Sequence, residues 1–258
     1  MSSLSKMLAI FDEFSADTPT LTAEEIATRL GYSMGTAYRY LRELTAAGLL
    51  TGVGGAYALG PRIIEMDFLI RQSDPYMRII QPIMRGLRNR LDCDVLMCNF
   101  YQGRIVVSHH ERGSEQFTMS YGRGRRMPLL RGSPSKSILA TLPKSKLRRL
   151  FDQEAGKADA SDLDWDSFYT EIKSIRRRGF ALSKGELDPG NVGVAAALNI
   201  DPPGCLVFVF SGSRFEIADE KLVGEIICSA VEQANALIAR LEKGESHIDW
   251  FNDENLSA

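Results

Sequence analysis

The sequence is poor in the features that crosslink a chain, carry it across a membrane or direct its export. Its four cysteines stand apart, without a Cys-x-x-Cys pair or a histidine at ligand spacing, so neither a disulfide framework nor a zinc site is expected. No apolar run approaches the roughly 20 residues of a membrane-spanning helix. The amino end, residues 1–6, lacks the apolar core and cleavage site of a signal peptide. We therefore expect a cytoplasmic protein with no metal, no cofactor and no membrane partner.

An excess of charge of one sign is also missing. The net charge is −2, and the first 60 residues hold six acidic side chains against four basic ones. Overall charge therefore does not indicate a nucleic-acid partner, and such a partner has to be argued from where the charges lie. One segment departs from this balance, because residues 104–149 carry eleven basic side chains against two acidic ones.

The motifs of common enzyme classes are absent as well. The sequence has no nucleophile elbow, P-loop, paired-carboxylate motif or metal triad. Gly122-Arg123-Gly124 is too short for a dinucleotide-binding loop. We therefore predict no catalytic residues and a function other than catalysis.

What the first 60 residues do contain is a series of helix boundaries in a defined order. Apolar residues at helical spacing predict a first helix over residues 3–15, and Thr22 and Glu25 form a capping box before a second, short helix. Gly31 ends that helix, and Ser33 can cap a third helix that runs to about Ala47. A glycine-rich β-hairpin over residues 49–59 follows. This order predicts a winged helix-turn-helix.

One face of the third helix is suited to DNA. Its apolar stripe includes Ala37, Leu41 and Leu44, and the opposite face carries Arg39 and Arg42 among small residues. Small residues let a helix approach the bases closely, and arginine contacts guanine or phosphate through its planar fork. Two arginines on an isolated helix favour a merely solvated face, but the order of the surrounding elements favours DNA. The candidate DNA-binding residues are Ser33, Met34, Gly35, Thr36, Tyr38, Arg39 and Arg42.

The remainder of the chain divides at Gly60-Pro61. Residues 62–73 predict a connecting helix that is apolar nearly all round, so it must pack against something, most simply a partner subunit. Beyond Asp74 helical and strand patterns alternate, with strands expected near residues 95–100, 105–110, 116–121, 192–200 and 206–211. The predicted organisation is a winged helix-turn-helix over 1–60, a linker helix over 61–74, a larger α+β domain over 75–243 and an acidic, flexible tail over 244–258.

Several stretches together resemble one known family. They are Leu21–Ala27, Ser33–Leu41, Leu44–Leu50 and Tyr57–Gly60 in the amino-terminal part, and Arg178–Ser183, Asp188–Gly190, Val194–Ala197 and Ser211-Gly212 in the carboxy-terminal part. The combination, which covers about residues 4–242, resembles the isocitrate-lyase-regulator (IclR) family of bacterial transcription factors. The resemblance implies a fold of class α+β, in which the winged helix-turn-helix precedes a GAF-like effector-binding domain with a central antiparallel sheet flanked by helices.

The resemblance also implies partners and a ligand site. The expected partners are double-stranded operator DNA, a small-molecule effector that is an organic or aromatic acid, and further copies of the chain in a homodimer or tetramer. Matching the family position by position gives the candidate effector-binding residues Phe117, Met119, Ser133, Pro134, Ser183, Gly193, Val209 and Ser211. Some members carry a cysteine at the position of Gly193 and an acidic residue at that of Ser183, so the ligand of this chain need not be theirs.

Two alternatives stay open at this point. The basic segment supplies either an arginine for an effector carboxylate, with Arg123, Arg126 and Arg131 as candidates, or only a solvated or subunit-contacting surface. The chain as a whole could instead be a small-molecule-binding or enzymatic GAF-like protein whose winged helix contacts protein.

Overall fold

The computed structural model describes residues 2–115, 119–157, 162–215 and 219–244. Within it the chain forms two compact units, Met1–Pro75 and Tyr76–Ala258.

The first unit has a small helical core closed by a three-stranded sheet. Its elements are α1 (Ser3–Leu8), a 3-10 helix (Ala9–Glu13), β1 (Thr20–Leu21), α2 (Ala23–Leu30), α3 (Met34–Ala46), β2 (Leu50–Val53), β3 (Ala56–Leu59) and α4 (Arg62–Ser73). The sheet is antiparallel in the order β1-β3-β2. Ile10, Leu21, Ile26, Leu41 and Leu50 are fully or almost fully buried in the core beneath it. This is the predicted winged helix-turn-helix.

Local hydrogen bonds fix the boundaries of α2 and α3 where the sequence predicts them. The Glu25 amide donates to Thr22 Oγ1 at 3.2 Å and the Thr22 amide donates to Glu25 Oε2 at 2.7 Å, so the capping box is complete. The hydrogen bond from the Thr22 amide also lowers the pKa of the Glu25 carboxyl. Gly31 ends α2 at φ +67°, and Ser33 Oγ accepts from the Thr36 amide at the start of α3. The predicted first helix is shorter than expected, since it tightens into the 3-10 helix after Leu8.

The second unit is built on one antiparallel sheet. Its elements are α5 (Pro75–Leu91), β4 (Asp94–Tyr101), β5 (Arg104–Glu111), β6 (Arg126–Met127), α6 (Ser133–Ala140), α7 (Lys144–Glu154), α8 (Trp165–Arg178), β7 (Ala181–Lys184), β8 (Asn191–Leu198), β9 (Gly204–Ser211), α9 (Gly212–Phe215) and α10 (Glu220–Glu242). The six strands run in the order β6-β5-β4-β9-β8-β7. All neighbouring pairs are antiparallel.

Helices cover both faces of this sheet, so that the central strands β4, β8 and β9 contribute residues to two cores. Leu96 and Val207 belong to a core shared with α6, α7 and α8. Val95 and Phe208, the adjacent residues on the same strands, belong to a second core shared with α5 and α10. The fold class is therefore α+β, with a central antiparallel sheet flanked by helices, as the sequence predicts.

The described part of one predicted strand, that over residues 116–121, does not form a strand. Residues 119–121 lie in irregular chain, and residues 116–118 of the expected strand lie outside the described residues. The edge of β5 is paired instead by the two residues of β6. The chain turns into β6 at Gly124, whose φ of +84° suits glycine because it has no Cβ. The Gly124 amide holds this turn against β5 by donating to the Val107 carbonyl at 2.8 Å.

Within the described ranges, one helix, α10, is long and apolar enough to cross a membrane by length and composition alone. Its buried residues include Val223, Ile227, Ala234 and Ile238, which pack into the second core. This packing is that of the core helix of a globular domain. The predicted acidic tail begins at Gly244, and its residues 245–258 lie outside the described ones.

Candidate functional site

Helix α3 buries one face and exposes the other, as the sequence predicts. Ala37, Tyr40, Leu41 and Leu44 are buried. The predicted DNA-binding residues Ser33, Met34, Gly35, Tyr38, Arg39 and Arg42 are all exposed, and Thr36 is half-buried. The exposed side therefore presents polar and cationic groups on a rigid helix.

The two arginines of α3 are not engaged inside the protein. The Arg42 side chain is 76% exposed and makes one surface ion pair, with its neighbour Glu43 at 3.1 Å. The Arg39 guanidinium lies 5.2 Å from the centre of the Tyr40 ring, which orients it along the helix surface. An exposed ion pair of this kind contributes little to stability, so Arg42 can exchange it for another anion at small cost.

The exposed face of α3 forms one side of an open groove of about 760 Å³. Its lining is completed by Thr45 and Ala46 from the end of α3 and by Tyr57 from strand β3. These three residues extend the predicted surface toward the wing. None of the three is among the candidate DNA-binding residues taken from the sequence, and Tyr57 reaches α3 only through the pairing of the hairpin strands.

In the second unit, most of the predicted effector residues meet in one small cavity, which we call the inner pocket. Its volume is about 40 Å³. Its lining residues are Leu96, Met119, Tyr121, Met127, Ser133, Pro134, Ser183, Glu186, Leu187, Asp188, Asn191, Gly193, Val207 and Val209. Six predicted residues are among them: Met119, Ser133, Pro134, Ser183, Gly193 and Val209. Ser211 is not, and Phe117 lies outside the described residues.

Ser211 belongs to a different contact. It lies two residues beyond Val209 on β9, and its hydroxyl donates to Glu115 Oε1 at 2.7 Å. Ser211 therefore does not line the inner pocket, and its predicted role in effector binding gains no support from this cavity.

A buried hydroxyl without a partner lies at the wall of the inner pocket. Ser133 is fully buried at the first position of α6, and its Oγ is one of the buried side-chain atoms that make no hydrogen bond within the described part of the chain. A buried hydroxyl without a partner is costly, so it indicates a place for a polar ligand atom or a water molecule. The amide of Ser133 is already bound, since it donates to Ser183 Oγ at 3.0 Å.

Gly193 on β8 leaves room for these two hydroxyls. A Cβ built on Gly193 would lie 2.6 Å from Ser133 Oγ and 3.2 Å from Ser183 Oγ. Any side chain at this position would therefore occupy the space beside both hydroxyls. The pocket combines two serine hydroxyls with apolar walls from Leu96, Val207 and Val209, a lining suited to a small molecule with one polar end.

The loop between β7 and β8 covers the inner pocket and is tied down at two points. Glu186 accepts from the Gly132 amide at 3.0 Å and from Lys136 Nζ at 2.9 Å. Asp188 Oδ2 accepts from the Ser120 amide at 2.9 Å. Between these two residues, Leu187 packs on Gly132, where a Cβ would come within 2.7 Å of its Cδ1. The loop is therefore held over the cavity by ion pairing, hydrogen bonding and packing.

A second and larger cavity, the outer cleft, adjoins the inner pocket. It measures about 580 Å³. Its lining residues are Gln102, Gly103, Arg104, Ile105, Tyr121, Arg126, Met127, Pro128, Leu129, Leu130, Leu150, Gln153, Glu154 and Lys157. Tyr121 and Met127 line both cavities. Sequence analysis missed this cleft, although it singled out Arg126.

The three arginines considered for an effector carboxylate all have contacts within the protein. Arg123 donates from its Nε to the Ser108 carbonyl at 2.8 Å, and Arg131 is paired with Asp162. Of the three, Arg126 alone lines either of the two cavities.

Helix α4, like the shorter α1, has no buried residue, although it is 12 residues long. Its exposed side chains include Ile64, Phe68, Leu69 and Ile70, each more than half exposed. A row of large apolar side chains on one short helix is a typical association surface.

Comparisons with known proteins agree with these features. The sequence matches the model of the IclR helix-turn-helix domain over residues 3–54 and that of the bacterial transcriptional regulator IclR C-terminal region over residues 72–202. It is similar to the HTH-type transcriptional regulator KipR of Bacillus subtilis, with 24% identity over 196 residues that cover 75% of this chain and 78% of KipR.

Solved structures show the same fold at low sequence identity. The crystal structure of an IclR family transcriptional regulator from Brucella abortus superposes with a TM-score of 0.77 at 19% identity, covering 92% of both chains. An IclR homologue from Microbacterium hydrocarbonoxydans, solved in complex with 4-hydroxybenzoate, has a TM-score of 0.70 at 18% identity, covering 91% of this chain and 98% of the homologue. With both of its units matched by the family models, the chain belongs to the IclR family of bacterial transcriptional regulators, and its function is regulation and not catalysis.

Proposed function

We propose that this regulator binds double-stranded operator DNA through α3 and that a small organic or aromatic acid in the inner pocket modulates this binding. The contacts to DNA come from Ser33, Met34, Gly35, Thr36, Tyr38, Arg39 and Arg42. The exposure of both arginines on a helix whose opposite face is buried supports this assignment. A recognition helix needs such a division between a buried and an exposed face.

The ligand class follows from the polar end of the inner pocket. The unpartnered hydroxyl of Ser133 lies at the first position of α6 and can donate a hydrogen bond to a carboxylate, while the Gly132 amide at the same helix end is already bound by Glu186. Ser183 adds a second hydroxyl, and the apolar walls suit a ring or a short aliphatic body. The complex of the Microbacterium homologue with 4-hydroxybenzoate supports the same class. The buried hydroxyl of Ser133 is the observation that carries this proposal.

The functional form that we propose is a homodimer or a tetramer in the cytoplasm. The exposed apolar residues of α4 supply the contact between subunits. A dimer would place two winged helices in successive major grooves, about 34 Å apart. In this scheme residues 1–60 bind DNA, residues 61–74 link and associate the subunits, and residues 75–243 bind the effector.

Effector binding regulates DNA binding in this scheme by shifting an equilibrium between two arrangements of the subunits. A ligand can do so only if it binds one arrangement more tightly than the other. By linkage, operator DNA must then change the affinity for the effector by the same factor.

A ligand screen followed by a coupling measurement tests the proposal. Aromatic and aliphatic carboxylates are screened for an increase in melting temperature, because a ligand that binds the folded state stabilises it. The dissociation constant for DNA from upstream of the protein's own gene is then measured with and without the most stabilising acid. We expect at least a fivefold change, the lower end of typical allosteric coupling. No stabilising acid, or a ligand that leaves DNA affinity and subunit arrangement unchanged, would contradict the proposal.

A further inference from the structure

Among the described residues, those that line the inner pocket include no cation to receive an acid. The charged residues in this lining are Glu186 and Asp188, and both are acidic. A carboxylate that entered the pocket as it stands would lie near two groups of its own charge, with only serine hydroxyls to bind it. The binding of an acid therefore requires a source of positive charge.

A cation lies directly behind Glu186. Lys136 belongs to α6, its side chain is 8% exposed, and its Nζ lies 2.9 Å from Glu186 Oε1 and 2.9 Å from Glu171 Oε1. The Gly132 amide, at the start of the same helix, donates to Glu186 Oε2 at 3.0 Å. Glu186 lines the inner pocket, whereas Lys136 and Gly132 do not. The Glu186 carboxylate thus separates an ammonium group and an amide from the pocket.

A third carboxylate cannot simply be added around Lys136. The carboxylates of Glu171 and Glu186 already exceed its single positive charge. A ligand carboxylate can therefore approach the ammonium group favourably only by replacing one of them. Replacement leaves Lys136 paired, and this matters because a largely buried charge that loses its partner is strongly unfavourable.

Of the acidic side chains, Glu186 is the one that can be replaced from the pocket. Glu171 lies on α8 and does not line the pocket. Asp188 does line it, but its carboxylate accepts from the Ser120 amide, so its departure would uncover no cation. The Glu186 side chain is 25% exposed and can turn toward solvent without crossing the core.

The loop that carries Glu186 keeps its other contacts when this side chain turns outward. The Gly185 amide donates to the Asn191 carbonyl at 2.8 Å, and the Asn191 amide donates to the Asp188 carbonyl at 3.1 Å. Leu187 stays packed against the core shared with α6, α7 and α8. The change is confined to one partly exposed polar side chain, and no packed apolar residue has to yield.

We propose that the carboxylate of the effector replaces that of Glu186 at Lys136 Nζ and at the Gly132 amide. Lys136 and Gly132 then bind the anionic end of the effector, and Glu186 is an internal competitor that an acid must displace. The exchange also adds the space of the Glu186 carboxylate to a pocket of about 40 Å³. This inference rests on the proposed function and names the charged group that recognises the acid.

Calorimetry with a matched pair of ligands tests the exchange on the full-length protein. The probes are 4-hydroxybenzoate and 4-hydroxybenzamide, which has nearly the same shape but no charge. Glu186→Gln should bind the acid about tenfold more tightly than the unsubstituted protein does, because an uncharged amide competes less well for Lys136 and leaves the site open more often. The affinity for the benzamide should change less than about threefold, since it brings no charge to Lys136.

Glu171→Gln is the control for a general electrostatic effect. It removes the same charge at the same distance from Lys136 Nζ, 2.9 Å, but outside the lining of the pocket. Because it leaves Lys136 to Glu186, it should hold Glu186 in place and give no gain in acid affinity. A merely structural role of Glu186 predicts weaker acid binding in Glu186→Gln, which is opposite in sign.

Acetate tests the site with a carboxylate group alone. Glu186→Ala removes a carboxylate from Lys136 and from the Gly132 amide, so acetate should raise the melting temperature of this variant more than chloride does at the same ionic strength. The unsubstituted protein should show no such difference, since its own carboxylate fills the site. Melting temperatures without ligand show whether each variant is folded, and the two variants at residue 186 test the exchange independently.

Each other outcome overturns a specific claim. If 4-hydroxybenzoate binds but Glu186→Gln binds it no more tightly, or if Glu171→Gln gains as much, the exchange is wrong and the proposed function stands. If 4-hydroxybenzoate binds no form of the protein while acetate stabilises Glu186→Ala, the carboxylate site stands and the aromatic effector is wrong. If neither acid binds any form, the inference and the proposed ligand class fail together.

Discussion

Ser133 Oγ lies so close to Gly193 that a single methyl group at residue 193 would come within 2.6 Å of it. The two residues belong to α6 and β8, and their approach brings the start of the helix onto the sheet at the inner pocket. The absence of a side chain at residue 193 is thus what leaves the Ser133 hydroxyl facing a space instead of an atom.

The substitution Gly193→Ala should destabilise the protein, because the new methyl group would overpack the contact between residue 193 and Ser133 Oγ. We expect a loss of about 1–3 kcal/mol in the free energy of unfolding, with loss of carboxylate binding, because the new methyl group fills the polar end of the pocket. Thermal unfolding and calorimetry measure both effects.

A double variant provides the control for this prediction. The same Cβ would lie 3.8 Å from the Ser133 Cβ, an ordinary contact, so Ser133→Ala should restore part of the stability lost in Gly193→Ala. If the two substitutions are additive, with a coupling energy below about 0.5 kcal/mol, the close approach does not cause the destabilisation.

Removing the hydroxyl alone should separate stability from function. We expect Ser133→Ala to stabilise the ligand-free protein by about 1 kcal/mol, since it removes a buried hydroxyl without a partner, and to raise the melting temperature by roughly 2–4 °C. The same variant should bind 4-hydroxybenzoate about tenfold more weakly. A lower melting temperature with unchanged binding would show that the hydroxyl serves the fold and not the ligand.

The apolar side chains of α4 lead to a prediction about assembly. Phe68→Glu should reduce the molar mass measured by light scattering from that of a dimer or tetramer to that of a smaller species, because it would place a charge in a buried apolar contact. Gln72→Glu introduces the same charge at another exposed position of α4 and is the control. An unchanged mass in Phe68→Glu would exclude this part of α4 from the subunit contact.

The cysteines should react slowly in the native protein. Burial raises the pKa of the Cys93 thiol to about 12, and the pKa of Cys98 is raised by its hydrogen bond with Cys205 and by burial. Because a raised pKa leaves less of the reactive thiolate at pH 8, the labelling of these thiols with DTNB should be much slower than that of a free cysteine. Burial raises the pKa of Cys228 as well, but Cys228 is only half-buried, whereas the other three cysteines are buried. Any residual reaction should therefore come from Cys228 and should be lost in Cys228→Ser.

Unfolding in urea provides the reference for this measurement. All four thiols should then react at the rate of a free cysteine. Rapid labelling of two or more thiols in the native protein would contradict the burial of these residues.

The parts of the structure that sequence analysis predicted are those with local causes. The capping box of Thr22 and Glu25, the left-handed Gly31 and the apolar stripe of α3 each depend on residues within a few positions of one another. The two-residue strand β6 has no such signal, because it pairs residues that are far apart in the sequence, Ile105 with Met127 and Val106 with Arg126. Apolar periodicity and helix caps are local patterns, so they cannot predict an element that is fixed only by pairing with a distant strand.

The residues of the candidate site also fall into those that the sequence indicated and those that it did not. Ser133, Ser183 and Gly193 were reached through family resemblance and lie together, whereas Tyr121 and Leu187 come from irregular segments that carry no periodic pattern. Ser211, in contrast, was predicted to line the site but does not line the inner pocket. Strand alternation places it on the same face as Val209, but it does not show that the pocket ends before residue 211.

The central claim is that the exposed face of α3 binds DNA, and fluorescence anisotropy with DNA from upstream of the protein's own gene tests it most directly. We predict that Arg39→Ala and Arg42→Ala each weaken specific binding by about tenfold or more, since each contact to a base or phosphate contributes about 1–3 kcal/mol. Arg149→Ala removes the same charge from the second unit and should bind as the unsubstituted protein does. If all three variants bind this DNA as tightly as the unsubstituted protein does, α3 is not the recognition helix and the account is wrong.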